Sequence, residues 1–301
     1  EVMKSFYRYE RYPDITAKEL KVKLSEYVSL PEEFIEVYNG SDDALKDIIT
    51  VFVDKDTRVL SYQPSYTQVN TFITTNTDNY IKANILDPLG EHVYNFNLCN
   101  DADVVYLVNP NNPTGKLLEV DKIEELVKSH PDVLFIIDEA YYEFAKQSSS
   151  HLVISHKNLI VTRTFSKAFG LASIRLGYCM GHPDTLSHLR KIRNGKAVNA
   201  LAQLCGIAAL DDLDYLDSRI DEMNDAKKFF VDNLPHQYYA VDSYTNFVLL
   251  KTPNAKEVLD KMKENKILIR DRSSFTNLED CVRITIGSKK QIIRVLNVIN
   301  L

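Results

Sequence analysis

Val104-Val-Tyr-Leu-Val108 and Val133-Leu-Phe-Ile-Ile137 are five-residue runs of apolar and aromatic side chains with no polar alternation. Runs like these read as strands buried on both faces, which requires helices above and below a mainly parallel sheet. Ile35–Tyr38, Thr57–Ser61, Leu159–Thr162 and Leu176–Met180 repeat the pattern in shorter or mixed form, and a further strand is expected near Ile81–Ile85. Helical periodicity fills the gaps at 44–52 and 119–129, with another helix inside 67–100. Strands that alternate with helices predict an α/β fold with a mostly parallel central sheet flanked by helices.

Beyond residue 198 the pattern changes. Asn199–Leu210 is an Ala/Leu-rich buried helix, and Asp214–Leu234 is one long polar-faced helix suited to bridging two domains. The remainder alternates short strands (246–251, 268–271, 282–286) with helices (255–265, 289–301). The expected division is a large domain over 1–213, then an interdomain helix and a smaller C-terminal α+β domain over 214–301. At the other end, residues 1–28 read as two helices broken at Pro13, because a residue before proline is pushed out of the α region. Thr16 is the expected cap of the second helix, with Glu19 completing a capping box. The sequence begins at Glu1 without a methionine, within what already reads as a helix, so an N-terminal arm is expected before it.

A chain of 301 residues with a net charge of −6 has neither the basic surface nor the charge blocks of a nucleic-acid-binding protein. No apolar run approaches the ~20 residues needed to span a bilayer. The four cysteines are far apart with no CxxC pair, which predicts reduced thiols in a cytoplasmic protein. The seven histidines show no ligand or triad spacing.

The chemistry collects at strand ends. After Leu159–Thr162 come Thr164, Ser166 and Lys167, with Arg175 eight residues on and Gly170 and Gly177 allowing close backbone approach. Hydroxyls and an arginine can hold a phosphate while a lysine forms a Schiff base with a carbonyl; a basic surface loop is the plainer alternative. Gly40-Ser41-Asp42 opens a helix whose free N–H groups suit a phosphate, although simple capping by Ser41 or Asp42 explains the same residues. Tyr66 lies beyond a strand end, where it can stack on a planar ring or merely pack. Asn112 sits in the rigid turn Asn109-Pro-Asn-Asn-Pro-Thr-Gly115 with its amide free. Asp138 ends a buried strand, as a partner for a cationic heterocycle or a metal ligand, but no histidine or further carboxylate cluster gives metal spacing here, so the metal reading is weak. Arg270 and Arg283 lie on or beside C-terminal strands. Taken singly, Tyr12 reads as an ordinary surface tyrosine, and for either arginine a surface ion pair and a binding role are equally open.

In this order the motifs Asn109–Gly115, Asp138-Glu-Ala-Tyr141, Arg163–Ala172 and Cys281-Val-Arg-Ile-Thr-Ile-Gly287 are specific. The sequence resembles the fold-type I pyridoxal-phosphate (PLP) aminotransferases over nearly its whole length, most closely the histidinol-phosphate aminotransferases. The resemblance implies that Lys167 forms the internal aldimine and shuttles the proton, and that Asp138 pairs with the pyridine nitrogen. It implies that Asn112 and Tyr141 hold the ring's phenolic oxygen and that Tyr66 stacks on its face. Thr164, Ser166, Arg175 and the Ser41–Asp42 backbone would hold the 5′-phosphate, joined by Tyr12 from a neighbouring subunit in a homodimer, with the first helices at the interface. Arg283 and secondarily Arg270 would bind the substrate's anionic end, serving histidinol phosphate and 2-oxoglutarate in turn; no metal is implied. An aromatic amino acid aminotransferase and a threonine-phosphate decarboxylase share the same cradle. A non-catalytic PLP sensor is a remoter alternative, with no helix-turn-helix segment or basic extension to support it. Two departures fall on the substrate side: the family's N-terminal segment is absent from this sequence, and Gly195-Lys196 stands where the family has an aromatic residue.

Overall fold

The computed structural model describes residues 10–86 and 92–300; the first expected N-terminal helix falls largely within residues 1–9, outside that range. Seven strands form the central sheet: β1 Ile35–Tyr38, β2 Val59–Gln63, β3 Tyr80–Asn84, β4 Val104–Val108, β5 Leu134–Asp138, β6 Leu159–Thr164 and β7 Gly177–Gly181. Their order is β1-β7-β6-β5-β4-β2-β3. The block from β3 to β6 is parallel, while β7 runs antiparallel to both β6 and β1. The sheet is therefore the mostly parallel one expected.

Strand alternation divides the core in two. Val105, Leu107, Phe135, Ile137, Leu159 and Val161 face one way, against the helices Lys18–Val28, Val120–Ser129 and Ala200–Leu210. Val104, Tyr106, Val108, Ile136 and Ile160 face the other, against Ser41–Phe52 and Gln68–Asn76. Both faces are covered, so the uninterrupted apolar runs of β4 and β5 are what this position demands. Residues two apart share a face, which places Tyr106, Asp138 and Thr162 together on the second one.

The C-terminal residues form a four-stranded antiparallel sheet: β8 Tyr239–Ala240, β9 Phe247–Lys251, β10 Arg270–Asp271 and β11 Cys281–Thr285, ordered β10-β11-β9-β8. Val248, Leu250, Val282 and Ile284 pack with residues of the helices Leu213–Asp232, Ala255–Glu264 and Lys289–Ile299. The opposite face carries Leu249 and Cys281, which join the larger core cluster instead. The small sheet thus turns its second face towards the large one, and Arg283 lies on that face.

Boundaries differ from expectation by a few residues at most elements. The two-residue strand β8 and the helix Pro183–Arg190 carry too little periodicity to be read from sequence. The expected cap at Thr16 is not observed. The helix begins at Lys18 after Ala17 in a left-handed conformation, and the Asp14 carboxylate accepts the Thr16 and Lys18 N–H groups at 2.9 and 2.8 Å. A carboxylate has two oxygens to divide between two orphan donors, and here it displaces the threonine hydroxyl, which itself donates to Asp14. Among the described residues no helix is long and apolar enough to cross a membrane.

Candidate active site

The carboxyl ends of β4, β5 and β6 open into one pocket, lined by Ser41, Asp42, Tyr66, Asn112, Asp138, Tyr141, Thr164, Ser166, Lys167 and Arg175 together with Val108, Ala140 and Ala172. The residues come from five chain segments spread over more than a hundred positions, and the parallel sheet brings their strand ends to one rim.

Asp138 is the last residue of β5 and is buried. Its carboxylate accepts the Tyr106 hydroxyl at 2.9 Å and the Thr162 hydroxyl at 3.2 Å. Burial pushes its pKa up to about 6, against the opposing pull of these two hydrogen bonds. The group is fixed in direction and, among the described residues, has no cation within ion-pair distance.

Lys167 lies in the turn after β6. Its ammonium is 5.7 Å from the centre of the Tyr141 ring. Burial and then the Arg283 charge lower its pKa, with Asp138 and Asp42 pulling the other way. A lysine so placed gives up its proton more readily than a solvated one. Tyr141 is buried against Phe247, and burial raises its hydroxyl to about 12.

A second group of donors forms an anion cradle. The helix Ser41–Phe52 starts after Gly40, and no side chain caps it, so its first N–H groups stay free. Gly40 has φ +89°, and a Cβ there would lie 2.6 Å from an Arg175 guanidinium nitrogen. At Gly177 a Cβ would lie 2.4 Å from the Ser41 backbone nitrogen. Both glycines are needed for the helix end, β7 and the guanidinium to meet. Arg175 itself holds a left-handed backbone (φ 57°), a conformation that costs a non-glycine residue about 1 kcal/mol and tends to persist at functional sites. Asp42 does more than the sequence suggests. Its carboxylate accepts the Tyr66 hydroxyl at 2.8 Å and faces Arg175 at 3.4 Å, so it sets the orientation of both.

Arg283 reaches the pocket from the small sheet: its Nη1 donates to the Asn112 side-chain oxygen. That contact ties Arg283 to the asparagine turn and leaves the Asn112 amide nitrogen without an acceptor among the described residues. Arg270, directly opposite Arg283 in the β10–β11 register, is exposed and does not line the pocket. Tyr12 is also outside it, 79% exposed, with the Lys196 ammonium 4.6 Å from its ring centre. The glycine that stands at position 195 has a local reason. A Cβ there would lie 2.5 Å from the Ile15 carbonyl oxygen, so glycine lets this loop seat the segment that carries Tyr12.

The places of four residues were not legible in the sequence. Tyr106 sits mid-strand and reads as an apolar residue, yet its hydroxyl holds Asp138. Arg163 and Glu139, inside motifs read as pocket chemistry, instead form a buried ion pair at 3.0 Å on the other face of the sheet. Arg272 is two residues beyond Arg270, and only its place in the β-ladder marks it. Among the described residues no group of three or more His, Cys, Asp or Glu side chains is arranged to hold a metal ion.

The class I and II aminotransferase family matches residues 3–299. A dihydroxyacetone phosphate transaminase of Campylobacter jejuni is 37% identical over 93% of this chain and 78% of its own. A histidinol-phosphate aminotransferase of Clostridium kluyveri is 32% identical over 96% of this chain and 83% of its own. Among solved structures, the L-threonine-O-3-phosphate decarboxylase of Porphyromonas gingivalis superposes with a TM-score of 0.85 at 26% identity, covering 99% of this chain and 92% of that one. The histidinol-phosphate aminotransferase of Sinorhizobium meliloti, solved with pyridoxal-5′-phosphate, gives 0.89 over 99% and 84%, at 24% identity.

Proposed function

The chain belongs to the class I and II aminotransferases, and we propose that within this family it moves the amino group of a small phosphorylated amine, histidinol phosphate, to 2-oxoglutarate. Its cofactor is pyridoxal 5′-phosphate. The pocket residues fit that group: a free helix start and Arg175 for the phosphate, a buried carboxylate lacking a cation for the ring nitrogen, and one lysine with a lowered pKa. When bound, pyridoxal phosphate supplies a carbonyl that accepts the amino group and a ring that draws electron density from the substrate's Cα.

The remaining work falls to side chains. Lys167 would link to the cofactor carbonyl and, once released, take and return the Cα proton at its Nζ; burial and then the Arg283 charge lower its pKa and so favour the neutral amine. Asp138, aimed by Tyr106 and Thr162, would hold a proton on the ring nitrogen, because an adjacent anion favours the cationic form. Asn112 and Tyr141 would donate to the ring's phenolic oxygen, and Tyr66, fixed through Asp42, would lie on its face. Ser41, Thr164, Ser166 and Arg175 would bind the 5′-phosphate. Arg283 would hold the anionic end of each substrate in turn, since its fork fits phosphate and carboxylate oxygens alike.

The observation that carries the substrate reading is Arg283, a half-buried guanidinium at the pocket with no acid within ion-pair distance among the described residues. The relatives named above act, by their names, on dihydroxyacetone phosphate, histidinol phosphate and threonine phosphate, all of them phosphate monoesters. A second reading follows from the 37% identity to the first of these: an amino transfer to dihydroxyacetone phosphate. A single-turnover spectrum of the cofactor-loaded protein tests both. Histidinol phosphate is expected to convert the cofactor to its amine form and phenylalanine to leave it unchanged. Conversion by phenylalanine alone would make this an aromatic transaminase, and carbon dioxide from threonine phosphate would make it a decarboxylase. If the amine form is discharged by dihydroxyacetone phosphate but not formed by histidinol phosphate, the second reading replaces the first.

We also propose a homodimer in which Tyr12 of one subunit completes its neighbour's phosphate cradle. Its exposure in the single chain is the motive, because a tyrosine 79% exposed has no role within its own subunit's pocket. Tyr12→Phe is expected to weaken cofactor retention about tenfold, the value of one hydrogen bond to a charged group. Light scattering that finds a fully active monomer would remove the basis for this role.

A further inference from the structure

The face of the small sheet turned towards the pocket carries three guanidinium groups. Arg270 and Arg283 are direct partners in the antiparallel register and so share a face. Arg272 continues the ladder by donating its backbone N–H to the Cys281 carbonyl at 2.9 Å, which puts its side chain on that face two residues along. Among the described residues none of the three has an acid within ion-pair distance. Arg272 and Arg283 each bury an Nε–H that has no acceptor there. The nearest acid in sequence, Asp271, accepts the Ser273 N–H at 2.8 Å, and Arg272 reaches only its backbone carbonyl. Burial and the charges of Arg283 and Arg270 lower the pKa of Arg272, and Arg283 and Arg272 both oppose the burial that raises the Tyr141 hydroxyl in the pocket.

Buried donors without acceptors and like charges held together both cost stability. They are retained where a ligand relieves them. A carboxylate, with one charge and two oxygens, is satisfied by the single fork of Arg283. A phosphate monoester carries close to two charges and three acceptor oxygens, and it has room for a second fork. We propose that Arg272 is a specificity-determining residue: with Arg283 it clamps the substrate's phosphate, and it separates phosphorylated substrates from the carboxylate of the amino-acid co-substrate. The exposed Arg270 then lies outside the clamp. The proposal rests on the reading of this pocket as one for a phosphorylated amine.

The test measures, by calorimetry on the cofactor-loaded protein, binding of two ligands that cannot react: glycerol 3-phosphate and glutarate. In Arg272→Gln the ratio of phosphate to dicarboxylate affinity is expected to fall about 10- to 100-fold, as for loss of a charge-assisted hydrogen-bond pair. Arg272→Lys should recover part of that ratio, since it keeps the charge without the fork. In turnover the KM for the phosphorylated substrate should rise with kcat nearly constant, because the contact is far from the reacting carbon. An unchanged ratio in both variants, or equal loss of both ligands, overturns the proposal. If the wild-type protein binds glycerol 3-phosphate through Arg272 yet does not turn over histidinol phosphate, the choice of amino donor fails and the clamp stands.

Discussion

Replacing Lys167 with alanine is expected to lower turnover by at least about 10⁴-fold, the combined loss of a covalent partner and a general acid–base group. No other group in the pocket can take over. Asp138 is held by the hydroxyls of Tyr106 and Thr162, and burial raises its pKa to about 6. Tyr141 keeps its proton until about pH 12 because it is buried, so it is a donor and not a base in the working range. The variant should still bind cofactor, since the helix start at Ser41 and the arginine are untouched. Borohydride reduction followed by mass spectrometry should find no cofactor attached to its chain, and small primary amines added to the buffer should restore a fraction of the rate. Wild-type attachment or wild-type turnover in Lys167→Ala would remove the lysine from its assigned role.

That lysine was legible in the sequence because it is chemically out of place, a cation among hydroxyls directly after a buried strand. Asp138 was legible for the same reason. The uninterrupted runs of β4 and β5 gave the parallel sheet, since only a strand covered on both faces can be so apolar. What stayed hidden depends on relations between strands. Tyr106 supports Asp138 only because β4 and β5 are neighbours in matched register, with Val108 opposite Asp138. Arg163 looked like part of the lysine motif, but strand alternation turns it away to pair with Glu139, so one residue of offset separates a site residue from a core one. Arg272 needs the β10–β11 ladder before it can be placed at all. The Asp14 cap was missed because a carboxylate four residues before the first helical residue does the work assigned to Thr16.

Asp138→Asn should give the second large effect, and it should split activity from stability. Turnover is expected to fall roughly 10²- to 10³-fold, because an amide cannot hold the ring nitrogen in its cationic form and a buried charge pair is lost. The cofactor-free protein should change in the opposite direction. The folded-state pKa of Asp138 is about 6, raised from 3.8 by burial, so the stability contributed by its protonation is complete below about pH 4 and lost as pH rises through about 6. Above that, the wild type buries a carboxylate with two hydroxyl donors and no cation. The asparagine is neutral throughout; its carbonyl accepts from Tyr106 and its amide can donate to the Thr162 oxygen. Cofactor-free Asp138→Asn should therefore melt above the cofactor-free wild type at pH 8, by up to roughly 3 kcal/mol, with the difference closing towards pH 4. Glu143, buried and raised to about 7, adds a slope of the same sign to both proteins and cancels in the comparison. With cofactor bound the order should reverse, because the ring nitrogen supplies the missing cation. Calorimetric melting of both proteins at the two pH values, with and without cofactor, checks all of this. A variant less stable than wild type in every state would mean that the Asp138 charge is already compensated within the chain and does not await a cationic ring.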